Sequence, residues 1–178
     1  MCEKIIERLP SMTAAERQQL RRNCERASRR STDRLIVQEA ERVVAELDAL
    51  EFRESRFLDR LPTARKIEYA FRRLPASEGE RHLIRILHEN AGAPLRRVSA
   101  ACGDADDLSW VRRLWEMCRD RRHLIGEVVP ADDDAQPHTE EPMAAPFIQV
   151  DQEGREVRLI PDAVEAFASI GYVERQAA

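Results

Sequence analysis

The sharpest division of apolar and polar positions falls over residues 107–120, DLSWVRRLWEMCRD. At ~100° per residue this stretch separates into two faces. Leu108, Trp110, Val111, Leu114, Trp115, Met117 and Cys118 fill one half of the helix. Ser109, Arg112, Arg113, Glu116, Arg119 and Asp120 lie opposite them, in an arc of ~120°. A helix this apolar on one half is anchored in a core, and its other half presents guanidinium groups.

Two shorter amphipathic segments precede it. Ser77-Glu78-Gly79-Glu80 has the spacing of a capping box, in which the Ser oxygen takes the N3 amide and Glu80 reaches back. It opens a helix with Leu83, Ile84, Leu87 and Ala91 facing inward, and Gly92 supplies a left-handed stop. Leu95, Val98 and Cys102 mark a second short helix closed by Gly103. The acidic cluster at 104–107 lies at the start of the third helix, where the macrodipole favours negative charge. That helix is predicted to run to about Arg122, with a turn and short strand over 123–129.

Toward the N-terminus, Thr13-Ala14-Ala15-Glu16 is another capping box. Its helix runs to about Arg29, with Leu20, Cys24 and Ala27 as a weak apolar stripe. Arg21, Arg22, Arg26, Arg29 and Arg30 read as a solvated face or as a stripe facing phosphates. Ser31-Thr32-Asp33 caps the next helix. There Ile36, Ala40, Val43, Leu47, Leu50, Phe57 and Leu61 recur at spacings of four and three, with Glu54 breaking the series. A continuous helix from Thr32 to Leu61 would be ~45 Å long. One reading is a dimerisation helix with Ile36, Val43, Leu47 and Leu50 in the seam. The other is a helical hairpin packed on the 13–29 helix within one chain. Ile67, Ala70, Phe71 and Leu74 then mark a short helix that Pro75 ends.

Residues 130–146, PADDDAQPHTEEPMAAP, hold little to bury and read as a flexible linker or large loop. FIQVD and REVRLI flank Gln152-Glu153-Gly154, a hairpin signal. Pro161-Asp162 opens a last helix with Val164, Phe167 and Ala168 inward, stopped by Gly171. The fold expected is mainly α, with a small β-hairpin. A helical region covers 1–75 and a helix-turn-helix core 76–129; the acidic linker covers 130–146, and 147–178 completes the second domain.

Composition narrows this further. Aromatic residues are 5% of the chain, so a core of Leu, Ile, Val and Ala is expected. No apolar run approaches the ~20 residues of a membrane span, and the N-terminus has no signal-peptide core. A cytoplasmic protein without membrane association is expected. The net charge of −4 is uneven: 1–75 is net basic, 76–127 neutral and 128–178 net acidic. A general polyanion binder is disfavoured, but a basic face on the first two-thirds is not. Cys2, Cys24, Cys102 and Cys118 form no CxxC pair and read as free thiols. Cys102, Cys118 and His123 match no common zinc spacing, so no metal is expected.

Helix, short helix, turn, longer amphipathic helix and then hairpin is the order of a winged helix. Residues 78–171 resemble the winged helix-turn-helix domain of MarR-type bacterial regulators, through GERHLIRILHENAG, PLRRVSAACG, LSWVRRLWEMCRDRRHLI and VRLIPDAVEAF. The whole chain is also similar to bacterial proteins that pair such a helical N-terminus with this central unit. The domain resemblance implies double-stranded DNA as partner, a homodimer, and the third helix in the major groove. Arg112, Arg113 and Arg119 would face the groove, Ser109 and Glu116 would touch base edges or orient the arginines, and Arg96 and Arg97 would take phosphates. The competing reading is a protein-interaction adaptor using the same helix or the 33–61 seam. There is no Gly-rich phosphate loop, HExxH, GxSxG or P-loop, so neither catalysis nor a cofactor is expected.

Overall fold

The computed structural model describes residues 2–103, 109–125, 147–150 and 156–174. The chain divides into two compact units, Met1–Arg60 and Leu61–Ala178. The architecture is mainly helical, with one small antiparallel sheet.

The first unit contains α1 (Cys2–Arg8), a 3-10 turn (Leu9–Ser11), α2 (Ala14–Arg30) and α3 (Arg34–Leu58). Thr13 caps α2 as its spacing predicts: its hydroxyl accepts from Glu16 N–H and Glu16 accepts from Thr13 N–H. Asp33 caps α3, its carboxylate accepting from Leu35 N–H at 2.8 Å. Such caps contribute ~1 kcal/mol each. α2 and α3 run antiparallel, joined by Arg17 to Glu54 and by Arg21 to Asp48 and Glu51. Their contact, with α1, closes a small core of Cys2, Cys24, Ala40 and Val43, with Ile5, Ile6, Leu20, Ala27 and Val44 around it.

This hairpin covers part of the expected seam within one chain. Val43 and Leu47 are buried within the single chain, Leu50 is half-buried and Ile36 is exposed. A four-and-three spacing suits an intrachain antiparallel partner as well as a second copy, and α2 takes that place here. α3 ends at Leu58 rather than Leu61. Glu54 does not interrupt the stripe but faces inward, paired with Arg17 at 2.6 Å.

The second unit contains α4 (Thr63–Arg73), α5 (Glu78–Glu89), β1 (Ala93–Pro94), α6 (Leu95–Ala101), α7 (Ser109–Ile125), β2 (Ile148–Val150), β3 (Glu156–Leu159) and α8 (Pro161–Ser169). The boundary lies at 60/61, not at 75. Ile67, Ala70, Phe71 and Leu74 of the α4 segment enter the second core, so α4 belongs with it. The strand order is β1-β3-β2, all antiparallel, with Ala93 opposite Val157 and Ile148 opposite Leu159. Gly92, at φ +74°, turns the chain out of α5 and donates its N–H to Val157 O at 3.0 Å. That left-handed conformation is one a side chain rarely adopts.

The core is largely aliphatic as composition implies, but its centre is aromatic. Phe71 meets Phe167 at 5.0 Å and Phe147 at 5.7 Å, both edge-on. Tyr172 packs beside them and its hydroxyl accepts from Ala76 N–H. Burying each such ring contributes ~1.5–3 kcal/mol, so the rings are concentrated where α4, α8 and the strand entry meet. α7 continues through Ile125, correcting the turn expected from His123: Leu124 and Ile125 extend its apolar arc and are buried. The expected strand at 126–129, the acidic stretches at 104–107 and 130–146, and the hairpin loop 152–154 lie outside the described residues. None of the four cysteines, all among the described residues, is in a disulfide; Cys2, Cys24 and Cys118 are buried. No helix among the described residues is long and apolar enough to cross a membrane.

Candidate nucleic-acid interface

The candidate surface is carried by α6 and α7. On α6, Val98 and Ser99 turn inward while Arg96 and Arg97 are exposed. On α7, Trp110, Val111, Leu114, Met117, Cys118, Leu124 and Ile125 turn inward. The two helices are clipped together inside the core. The indole N–H of Trp110, fully buried, donates to Ser99 Oγ at 3.0 Å. Both residues sit away from water, and losing the Ser99 hydroxyl would leave the buried indole N–H without this acceptor. The pairing therefore fixes α6 against the start of α7.

A second anchor holds the far end of α7. Arg121 lies within the apolar arc and is 4% exposed. Its Nε donates to Leu74 O at 2.8 Å, and Nη1 to Met117 O and Glu80 Oε1 at 2.9 and 2.8 Å. Nη2 donates to Pro75 O and Glu80 Oε2, each at 3.2 Å. The guanidinium also covers the Phe71 ring at 4.4 Å. All five of its N–H groups thus face acceptors, which a planar fork achieves where an ammonium would not. Glu80 serves twice, since it also accepts from Ser77 N–H at 2.7 Å in the capping box of α5.

The electrostatics follow from this burial. Desolvation works to raise the Glu80 carboxyl, but the Arg121 hydrogen bonds and charge outweigh it and hold the group below its ordinary value. Burial pushes the Cys118 thiol well up, with Arg121 opposing. Burial also raises the Asp120 carboxyl, partly offset by Arg119 and Arg121.

The outer face of α7 is different. Arg112 is 75% exposed, and its Nε donates to Glu116 Oε1 at 3.3 Å. An exposed pair at this spacing is worth only ~0.3–0.5 kcal/mol, so a phosphate or base edge can take the guanidinium from Glu116. Arg113 is exposed beside it. Arg119 stacks over the half-buried Trp115 at 4.9 Å, with Nε 3.9 Å from Asp120 Oδ1. The Arg119 side chain stays 37% exposed there. Ser109, half-buried, stands at the first described position of the helix.

The proposed set Ser109, Arg112, Arg113, Glu116 and Arg119 thus shares one helix, with Arg112 and Arg113 its most exposed members. Arg96 and Arg97 are exposed on the neighbouring helix. The residue missed by periodicity is Arg121, which stands seven positions after Leu114 and three after Cys118. A charged side chain at the centre of an apolar arc is itself a signal of a buried, partnered group.

No family model matches the chain, and no curated protein or solved structure matches it either.

Proposed function

We propose that the protein binds double-stranded DNA without catalysis, with α7 in the major groove, and acts as a transcriptional regulator. One observation carries the reading. α7 is fixed at both ends by buried polar contacts, while Arg112 and Arg113 project outward on a helix of a width the major groove admits. The order α5-β1-α6-α7-β2-β3, with strand order β1-β3-β2, supports a winged-helix assignment for the second unit. In this reading Arg112 and Arg113 approach guanine O6 and N7, the commonest specific contact. Glu116 releases Arg112 on binding and orients it or accepts from cytosine N4. Arg119 faces the groove beside them, Arg96 and Arg97 meet phosphates, and Ser109 touches a base edge or orients the arginines.

The test is a mobility-shift assay with genomic fragments at two salt concentrations. Several phosphate contacts give a steep loss of affinity with salt. Arg112→Ala/Arg113→Ala should abolish the preference among fragments. Equal binding by this variant would refute the groove assignment. A protein-interaction adaptor is the second reading, favoured by the exposed Leu35, at 72%, and Phe52, at 64%, on α3. A chain that retains no fragment at either salt supports that alternative.

A further inference from the structure

The arginines of α2 fall into two sets. Arg17 and Arg21 face α3 and are held by Glu54, Asp48 and Glu51. Arg22, Arg26, Arg29 and Arg30 are exposed, and none of them has an ion pair or hydrogen bond through its side chain to another described residue. At ~100° per residue these four occupy an arc of ~100°. Gln19 lies in that arc and Asn23 ~20° beyond it, their amides hydrogen-bonded to each other at 2.9 Å. The nearest carboxylates on the helix, Glu16 and Glu25, each lie ~40° outside it. Arg26 and Arg30 also border a shallow hollow with Ser31, between the end of α2 and the start of α3.

We propose that this ridge of α2 is a second nucleic-acid surface that tracks a phosphate backbone, distinct from the α6–α7 surface. From Arg22 to Arg30 the helix rises ~12 Å. The same length of one DNA strand carries three to four phosphates, at ~3.4 Å each. Arginine forks and neutral amides are donors suited to phosphate oxygens. A bilayer would require several apolar side chains along the ridge; Ala15 alone is apolar in the arc, and one exposed apolar residue of α3, Ile36, borders the hollow beside Arg26 and Arg30. The inference extends the nucleic-acid reading to the first unit, and does not require α7 to enter a groove.

The full-length chain is titrated against a fluorescent random-sequence duplex between 50 and 200 mM salt. The ridge variant is Arg22→Gln/Arg26→Gln/Arg29→Gln/Arg30→Gln, whose helix content is checked by circular dichroism because Gln keeps helix propensity. A charge-matched control replaces the exposed Arg8, Arg42, Arg53 and Arg60 by Gln. The ridge variant should lose at least ~10-fold in affinity at 100 mM salt, and the log–log salt slope should flatten by about three. The control should lose less than ~3-fold. An unchanged slope in the ridge variant overturns the proposal. So does an equal loss in the control, which would make net charge the cause, or a wild-type chain that binds no duplex. Poly-glutamate competing as well as duplex, charge for charge, overturns the assignment to nucleic acid. Arg112→Ala/Arg113→Ala run in parallel separates the two surfaces. If it removes binding while the ridge variant does not, the ridge falls and the α7 reading stands; the converse result leaves the ridge standing alone.

Discussion

Arg121→Met tests the claim that one buried guanidinium holds the second unit together. The change keeps most of the aliphatic volume, so repacking contributes under ~1.5 kcal/mol. It removes all five hydrogen bonds to Leu74, Pro75, Met117 and Glu80. The Glu80 carboxylate is then stranded. Breaking a buried pair from one side costs ~3–5 kcal/mol. The Glu80 side chain keeps 22% exposure, so water reaches part of it and the expected loss is at the lower end, ~3 kcal/mol. Glu80→Gln keeps an acceptor for Ser77 N–H and leaves the cation unbalanced, for a loss of ~2 kcal/mol. Because each variant removes the same contact, the double variant should recover at least ~2 kcal/mol of the summed losses. Urea unfolding followed by tryptophan fluorescence measures this. Trp110 and Trp115, the chain's two tryptophans, both lie in the second unit, so the signal belongs to it. A loss under ~1 kcal/mol for Arg121→Met, or additivity of the two changes within ~0.5 kcal/mol, would refute the reasoning.

Acid should expose the same contact. Glu80 is held below its ordinary value in the fold, so its contribution is complete above the unfolded value of ~4.3 and drains as pH falls through the folded one. In Arg121→Met the carboxyl is buried without its cation, so acidification from pH 6 to 4 should relieve that variant relative to wild type; parallel stability curves would contradict this. In the first unit, Arg17→Met takes from Glu54, whose side chain is 6% exposed, the guanidinium 2.6 Å away, and should speed amide exchange across α2 and α3 by ~100-fold, equivalent to ~3 kcal/mol. Arg17→Met/Glu54→Leu replaces the pair by apolar groups and should restore wild-type exchange or slow it further; a double variant as labile as the single one would count against a net electrostatic penalty.

Local rules made the helix starts legible. Thr13, Asp33 and Ser77 cap as their spacing demands, because capping depends on residues within one turn. The pairing of FIQV with VRLI was legible as a hairpin, but its register was not: a three-residue loop would set Val150 opposite Glu156, and Val150 pairs with Val157. What periodicity could not settle was partner choice. The stripe through Val43 and Leu47 has the same spacing whether α2 or a second chain covers it. Pro62 stands at the start of α4 and Pro75 just past its end, yet neither says which core a helix joins, and α4 went to the second. Arg17, Glu54 and Arg121 were hidden for a different reason. Each sits at an apolar position of its own helix, and its partner lies 37 or 41 residues away. Only the paired geometry explains why a charge is tolerated there. The exposed face of α7 was read correctly as a face, because exposure on a half-buried helix follows from the pattern alone.

The middle strand of the sheet is the last of the described strands in chain order. β1 forms by residue 94, but its neighbour β3 begins at Glu156, and β2 reaches β1 only through it. Phe147, Phe167 and Tyr172, which surround Phe71, come equally late. On a ribosome the first unit can therefore close while the second still waits, its α4–α7 helices holding an open core until the tail emerges. A nascent chain halted near residue 125 would expose Phe71 and its aliphatic neighbours together, making that arrested species the one most in need of chaperone protection.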